Sequence, residues 1–322
     1  PASAGVAYAT IDATAKVEME KGASVSAKNL TVRAHNDATM DMALEVESSS
    51  DSKKLPDFAV ALAISDTKVD ATANIGGTLN VSGDVQVAAT NTGSYSTSSD
   101  SSTDGKGVAA AAVAVAQRTT NATASLTADV PDATKVGVFA VNNISGDSTE
   151  ASTKTGQTTT DVIMGKTEQV TSVVSDSLEN TIVGFIDTAL AASSPACKAA
   201  KPKQQTFRLS GAVAYADNSD TASATIGGGT TAQVVHASDS VAVGSQVKAE
   251  DISIAASAAA VSDSGKKVSG NTTKESYSAG VAYGNFDHTA LENIGSNVTV
   301  AAGKIGLASQ TIIPIRDTEL FS

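Results

Sequence analysis

The side chains here that could do chemistry are 34 carboxylates, 3 histidines and 1 cysteine. Metal binding and acid–base catalysis need such groups clustered at ligand or hydrogen-bond spacing. His35, His236 and His288 are scattered instead, each in a strand or turn context, and read as solvent-facing strand histidines. Cys197 follows Ser194 and Pro195 with no histidine near it in sequence. It reads as an incidental thiol, with an intermolecular disulfide as its other use. Gly227, Gly228 and Gly229 run into threonines, without the Gly-Lys-Ser/Thr of a phosphate loop or the G-G-x-G-x-D of a calcium nonapeptide, so they read as a corner. β-Helices that cleave glycosides pair two carboxylates in a groove lined by rings. Here the carboxylates are dispersed in turns and aromatics are only 3%. The acidic stretch 100–104 offers at most a loose ion contact, and Asn29, Asn121, Asn143, Asn271 and Asn297 stand in Asn-x-Ser/Thr triplets that chance alone supplies in a hydroxyl-rich chain. No catalytic, cofactor-binding or metal-ligating residue is assigned, and no cofactor is expected; the reading is of a protein that is not an enzyme.

Composition narrows the partners. A net charge of -12 and a pI near 4.6 argue against nucleic acid or an anionic membrane as a partner, because both need clustered lysine and arginine. Only Lys198, Lys201 and Lys203 approach a basic cluster. No run of about 18 apolar residues exists, so no membrane insertion by a helix is expected. A single cysteine leaves stability to stacking and hydrogen bonding. Hydrophobic residues reach 41% with no tryptophan, so alanine, valine and isoleucine must fill a narrow core. The chain opens at Pro1 without an export segment and reads as a piece of something longer.

What must position these residues is a repeat. Five blocks, beginning near Gly5, Ala61, Ala112, Val213 and Val281, share one layout. First alanines Ala7, Ala63, Ala114, Ala214 and Ala282 each precede an apolar residue: Tyr8, Ile64, Val115, Tyr215 and Tyr283. Second alanines Ala15, Ala71, Ala122, Ala222 and Ala290 are followed by anchors Met19, Ile75, Leu126, Ile226 and Ile294. Self-similarity of this kind means stacked units that bury their apolar faces against one another. The alanines read as inward positions where faces approach closely. The tyrosines read as core or half-buried packing, with a carbohydrate-binding ladder as the alternative.

Within and after each block apolar residues alternate, as at Val25, Ala27, Leu30, Val32 and Ala34, which is the strand period. Short strands are expected, with corners at Lys28–Asn29, Gly83–Asp84, Glu250–Asp251 and Gly303–Lys304. Scarce aromatics and a single Asp-Gly disfavour a hairpin sandwich or barrel and favour a β-solenoid. The blocks are unevenly spaced, which with coils of about 20 residues places one block every two or three coils. Polar stretches 48–54, 93–106 and 262–275 read as loops. From 160 to 192 the apolar residues take helical spacing, as at Val170, Val174, Leu178, Ile182 and Ile186, ended by Pro195 and Pro202. The expected organisation is solenoid over 1–140, an insertion over 141–206 with a helix at about 160–192, and solenoid again over 207–322. The helix is expected to pack on the side of the stack or to protrude toward a partner.

The phrases SAGVAY and SGAVAYADNSDTASATIG, with their V-x-A and I-x-I-x-A runs, resemble repeats of filamentous-haemagglutinin-like giant bacterial adhesins, including leukotoxin-type filamentous adhesins and autotransporter passengers. The resemblance covers roughly residues 3–140 and 207–310. It implies an all-β, right-handed parallel β-helix, exported to the bacterial surface or the extracellular space, with a role in attachment or biofilm matrix. The partners it implies are a host or neighbouring-cell surface or a matrix component, carbohydrate included. Self-association into an extracellular filament or sheath is the second reading, and a polysaccharide-active β-helix enzyme a remote third.

Overall fold

The structure, a computed structural model, describes residues 2–48, 57–104, 107–157, 206–260 and 274–313. They form strands and no helix. The expected helix at 160–192, Cys197 and the lysines at 198–203 lie outside the described residues.

The strands are long because the alternation persists far beyond one short run. In order they are β1 (Ala2–Met19), β2 (Ser24–Ala27), β3 (Leu30–Ser48), β4 (Asp57–Ile75), β5 (Thr78–Val81), β6 (Asp84–Asp104) and β7 (Gly107–Leu126). They continue as β8 (Val130–Gln157), β9 (Thr206–Ile226), β10 (Gln233–Ala249), β11 (Ile252–Ala260), β12 (Lys274–Ile294) and β13 (Val298–Ile312). One sheet runs β1-β4-β7-β9-β12 and a second runs β3-β6-β8-β10-β13, with β11 also on β8. β2 and β5 pair at the corner between the sheets. Every pairing is parallel. The chain therefore crosses the first sheet, returns through the second and advances one strand per circuit. The described residues make five such layers, an arrangement compatible with a β-solenoid.

The block is the unit of this circuit. Ala7, Ala63, Ala114, Ala214 and Ala282 occupy one column in register, as do the second alanines and the closing anchors. One block per layer replaces the expected one block per two or three coils. The reason is strand length: strands of about 20 residues on both sides make a circuit of about 50. The expectation of short strands fails for the same reason. Residues 93–104, read as a loop, are the second half of β6, and β8 continues to Gln157, past the expected boundary at 140. Gly303 and Lys304 lie inside β13, opposite a register shift at Ala237/Ser240. The other three corners fall where expected.

The inward columns are alanine-rich because two extended sheets approach closely. Ala63, Ala71, Ala114, Ala122, Ala214 and Ala222 are fully buried. At the corner end larger residues fill the space, with Leu79, Leu126, Ile226 and Val235 also fully buried. The corners need left-handed backbone. Gly77 has φ 88° and a Cβ there would lie 2.1 Å from the Ala23 carbonyl oxygen. Gly227, with φ 96°, has the same role in the fourth layer, so the triple glycine is a corner, as read.

Candidate functional site

Moving along the inward columns away from the corner, the core changes character. Three asparagines in register on the second sheet, Asn36, Asn91 and Asn142, form a ladder. Asn36 Nδ2 donates to Asn91 Oδ1 at 3.1 Å, and Asn91 Nδ2 donates to Asn142 Oδ1 at 2.9 Å. Each amide also donates across the interior to the first sheet: to the Asp70, Asn121 and Thr221 carbonyls at 2.7, 2.8 and 2.7 Å. The ladder stops at Val247, which takes the next place in the column.

Beyond the ladder lies a buried charged cluster built from four layers. Tyr95 comes from β6, Arg118 and Thr120 from β7, Asp147 from β8, Asn218 and Asp220 from β9, and His288 from β12. All face inward by strand parity: Arg118 and Thr120 follow Ala114 at even spacing, as Asp220 follows Ala214 and His288 follows Ala282. Arg118 donates from Nε and Nη2 to the two oxygens of Asp220, at 3.3 and 2.8 Å, and from Nη1 to Asp147 Oδ2 at 2.6 Å. Thr120 Oγ1 donates to Asp220 Oδ1 at 2.6 Å, and Asn218 Nδ2 to Asp147 Oδ2 at 2.6 Å. His288 Nδ1 sits 2.8 Å from Asp220 Oδ2. The Tyr95 ring covers the guanidinium at 5.0 Å.

The environment divides the two carboxylates. Burial raises the Asp147 pKa, and Arg118 offsets this only in part. Burial acts upward on Asp220 too, but His288, Arg118 and Thr120 outweigh it and hold that carboxyl below its ordinary value. For Arg118 burial acts downward, and the two carboxylates override it and raise the pKa. Tyr95 is pushed up to about 12, chiefly by burial. One guanidinium faces two carboxylates, so a proton on Asp147 leaves these three groups without net charge. With its side chains buried, the cluster presents nothing to a substrate. What it can do is fix adjacent layers in one register, because a slipped strand would strand a buried charge.

No protein-family model, curated protein or solved structure matches this chain.

The histidines resolve differently from the sequence reading. His35 and His236 face solvent as expected. His288 does not: its side chain is 2% exposed and its place in the column is inward. The tyrosines of the block lie on the outer face of the first sheet, not in the core. Tyr215 and Tyr283 stack with centroids 5.6 Å apart and planes 8° from parallel, while Ile64 and Val115 separate Tyr8 from them. The pair is a local stack rather than a ladder of rings. Asp100 accepts from Ser152 across the β6–β8 pair, Asn29 Oδ1 accepts from the Asp84 N–H at 2.9 Å, and Asn121 donates to Asp70 at 2.9 Å. Among the described residues no group of three His, Cys, Asp or Glu side chains is placed to hold a metal.

Proposed function

We propose that this chain is a non-enzymatic structural segment of a very large secreted or surface-anchored bacterial adhesin. It is read as a right-handed parallel β-solenoid, the hand that parallel crossover connections adopt. The observation that carries the reading is the columnar register of the blocks: five copies align residue for residue across one sheet, as a stack built to be extended requires. Chemically distinctive side chains are spent inside, on holding layers together. The expected partners are a cell surface or matrix component bound by other parts of the parent protein.

The dimensions bear on how such a stalk is made. Strands of about 20 residues span about 60 Å, whereas five layers rise only about 24 Å along the stacking axis. The segment is thus a short, wide stack, and a long stalk requires many such segments.

The second reading is a subunit of a self-assembling filament, favoured by β1 and β12, which pair on one side only among the described residues. Small-angle scattering across a concentration series separates the two. A maximum dimension near 60 Å that does not change with concentration supports the stalk segment; growth along one axis with concentration favours the filament. Turnover on a panel of polysaccharides would overturn both.

A further inference from the structure

The outer face of the first sheet divides into two halves of opposite character. In the first half the outward positions are the alternate residues 2–8 of β1, 58–64 of β4, 109–115 of β7, 209–215 of β9 and 277–283 of β12, all in register. Every one is Ala, Val, Leu, Ile, Phe or Tyr, except Gly211. In the second half, from residues 10, 66, 117, 217 and 285 onward, the outward positions are Thr, Ser, Asp, Asn, Gln, Lys or Glu, except Leu291. Val6 is 71% exposed and Val281 53%, and no described strand lies over the apolar half. Seven residues of extended chain by five strands span about 24 by 24 Å, so this half covers about 600 Å² in plan. Two such faces laid together bury about 1,200 Å², the lower end of what holds a specific complex. Parallel sheets are normally covered on both faces, and an apolar patch of this size marks an association surface.

The half-face fits a second copy of itself. A two-fold axis along the stacking direction, set between the second and third apolar columns, runs the strands of the two copies antiparallel and lays each layer on the same layer of its mate. The third column then faces the second, with Val113 over Ala111, Val213 over Gly211 and Val281 over Ala279. Large side chains meet small ones, as interdigitating sheets require. An axis along the strands does the reverse, setting Val6 on Val281 and Ala4 on Ala279. It also lays the polar halves over one another, with Asp12 against Asp287 and Asp66 against Asp217. Like charges directly opposed are unfavourable. The antiparallel arrangement instead carries the two polar halves out on opposite sides, into solvent.

We propose that the apolar half-face is where two copies of this chain pair face to face, related by a two-fold axis along the stacking direction. The contact lies at right angles to the end-to-end joining of a filament, and both stacks advance in the same direction, so the open edges of β1 and β12 stay uncovered. The pairing is independent of whether the parent is an adhesin.

The test is sedimentation of the full chain across a concentration series, beside V113D on the apolar half and T123D on the polar half of the same strand. The full chain should reach the mass of two copies and stop there. V113D should weaken the pairing by at least about tenfold and T123D should leave it unchanged. In scattering, pairing adds about 35 Å to the maximum dimension of a single segment, and V113D removes the addition. A single-copy mass at every concentration, or an association that V113D leaves intact, would overturn the proposal, and growth along the stacking axis that V113D does not touch belongs to the filament. A second measurement does not depend on a destabilising change. Benzoylphenylalanine in place of Val113, irradiated in an equal mixture of light and nitrogen-15-labelled chains, should give mixed-isotope links to the stretch 109–113 of the other copy. Links confined to one molecule would overturn the pairing as well.

Discussion

Asp220 Oδ2 lies 2.8 Å from Arg118 Nη2, although the two residues are 102 positions apart and belong to different layers of the stack. Their strands pair with Arg118 opposite Asn218 and Thr120 opposite Asp220, so the ion pair runs diagonally between columns. A shift of β9 by one residue would turn Asp220 outward and leave Arg118 buried with Asp147 alone.

The two carboxylates of the cluster should therefore respond unequally to neutralisation. Asp220 is held ionised by three partners, and D220N leaves a buried guanidinium short of charge, at a cost of about 3 kcal/mol. Asp147 is pushed toward its neutral form by burial, so D147N should cost about 1 kcal/mol or less. Chemical denaturation of both variants at pH 7 checks the order; an equal or reversed cost would refute this division of roles.

The pH dependence has a definite sign for each group. The folded-state pKa of Asp147 is raised above its ordinary 3.8, so the folded state takes up that proton first and stability from this site increases as pH falls through the raised value. Asp220 is depressed, so its contribution is present above about 4 and is lost as pH falls further through its lowered value. The groups facing them are Tyr95 from β6, Arg118 from β7 and His288 from β12. Thermal midpoints between pH 7 and 3, taken as wild type minus D147N and wild type minus D220N, should slope in opposite directions.

The asparagine ladder should behave as one unit. N91V leaves the Asn36 amide and the Asn142 carbonyl without their ladder partners, at about 2 kcal/mol. Valine is nevertheless tolerated in that column at Val247. The triple variant N36V/N91V/N142V, in which no amide is left half-paired, should cost less than the sum of the three single changes. Strict additivity in urea melts would show that the three do not act together.

Two corner glycines separate conformational strain from collision. Gly22 and Gly77 both have left-handed backbone, φ 92° and 88°, but a Cβ at Gly22 meets nothing within 4 Å, whereas at Gly77 it strikes the Ala23 carbonyl. G22A should cost about 1 kcal/mol and G77A at least about 2 more. Similar thermal midpoints for the two variants would contradict the close approach of the first two layers at this corner.

Much of the fold is legible in the chain. The alternation from Leu30 to Ala34 is a strand because inward and outward positions differ by one residue, and the block alanines are inward because they recur in every copy at one parity. That same parity is the signal that could have found the cluster. Arg118, Asp220 and His288 each stand an even number of residues from a block alanine, which places a charge or an imidazole in the core. His288 reads as solvent-facing only when it is taken without Ala282.

The sequence by itself determined that the chain is all strand where it repeats, which residues face inward, and that glycine must turn the corner at Gly227, because these follow from local alternation and backbone sterics. Tertiary structure decided that one block makes one layer, and that Tyr95, Arg118, Asp147, Asp220 and His288 meet. It also decided that outward residues of five strands, such as Val6, Leu62, Val113, Val213 and Val281, line up in one apolar column. Each depends on the register between strands that lie about 50 residues or more apart. Register is set by the total fit of long parallel edges, and no local stretch of sequence contains that sum.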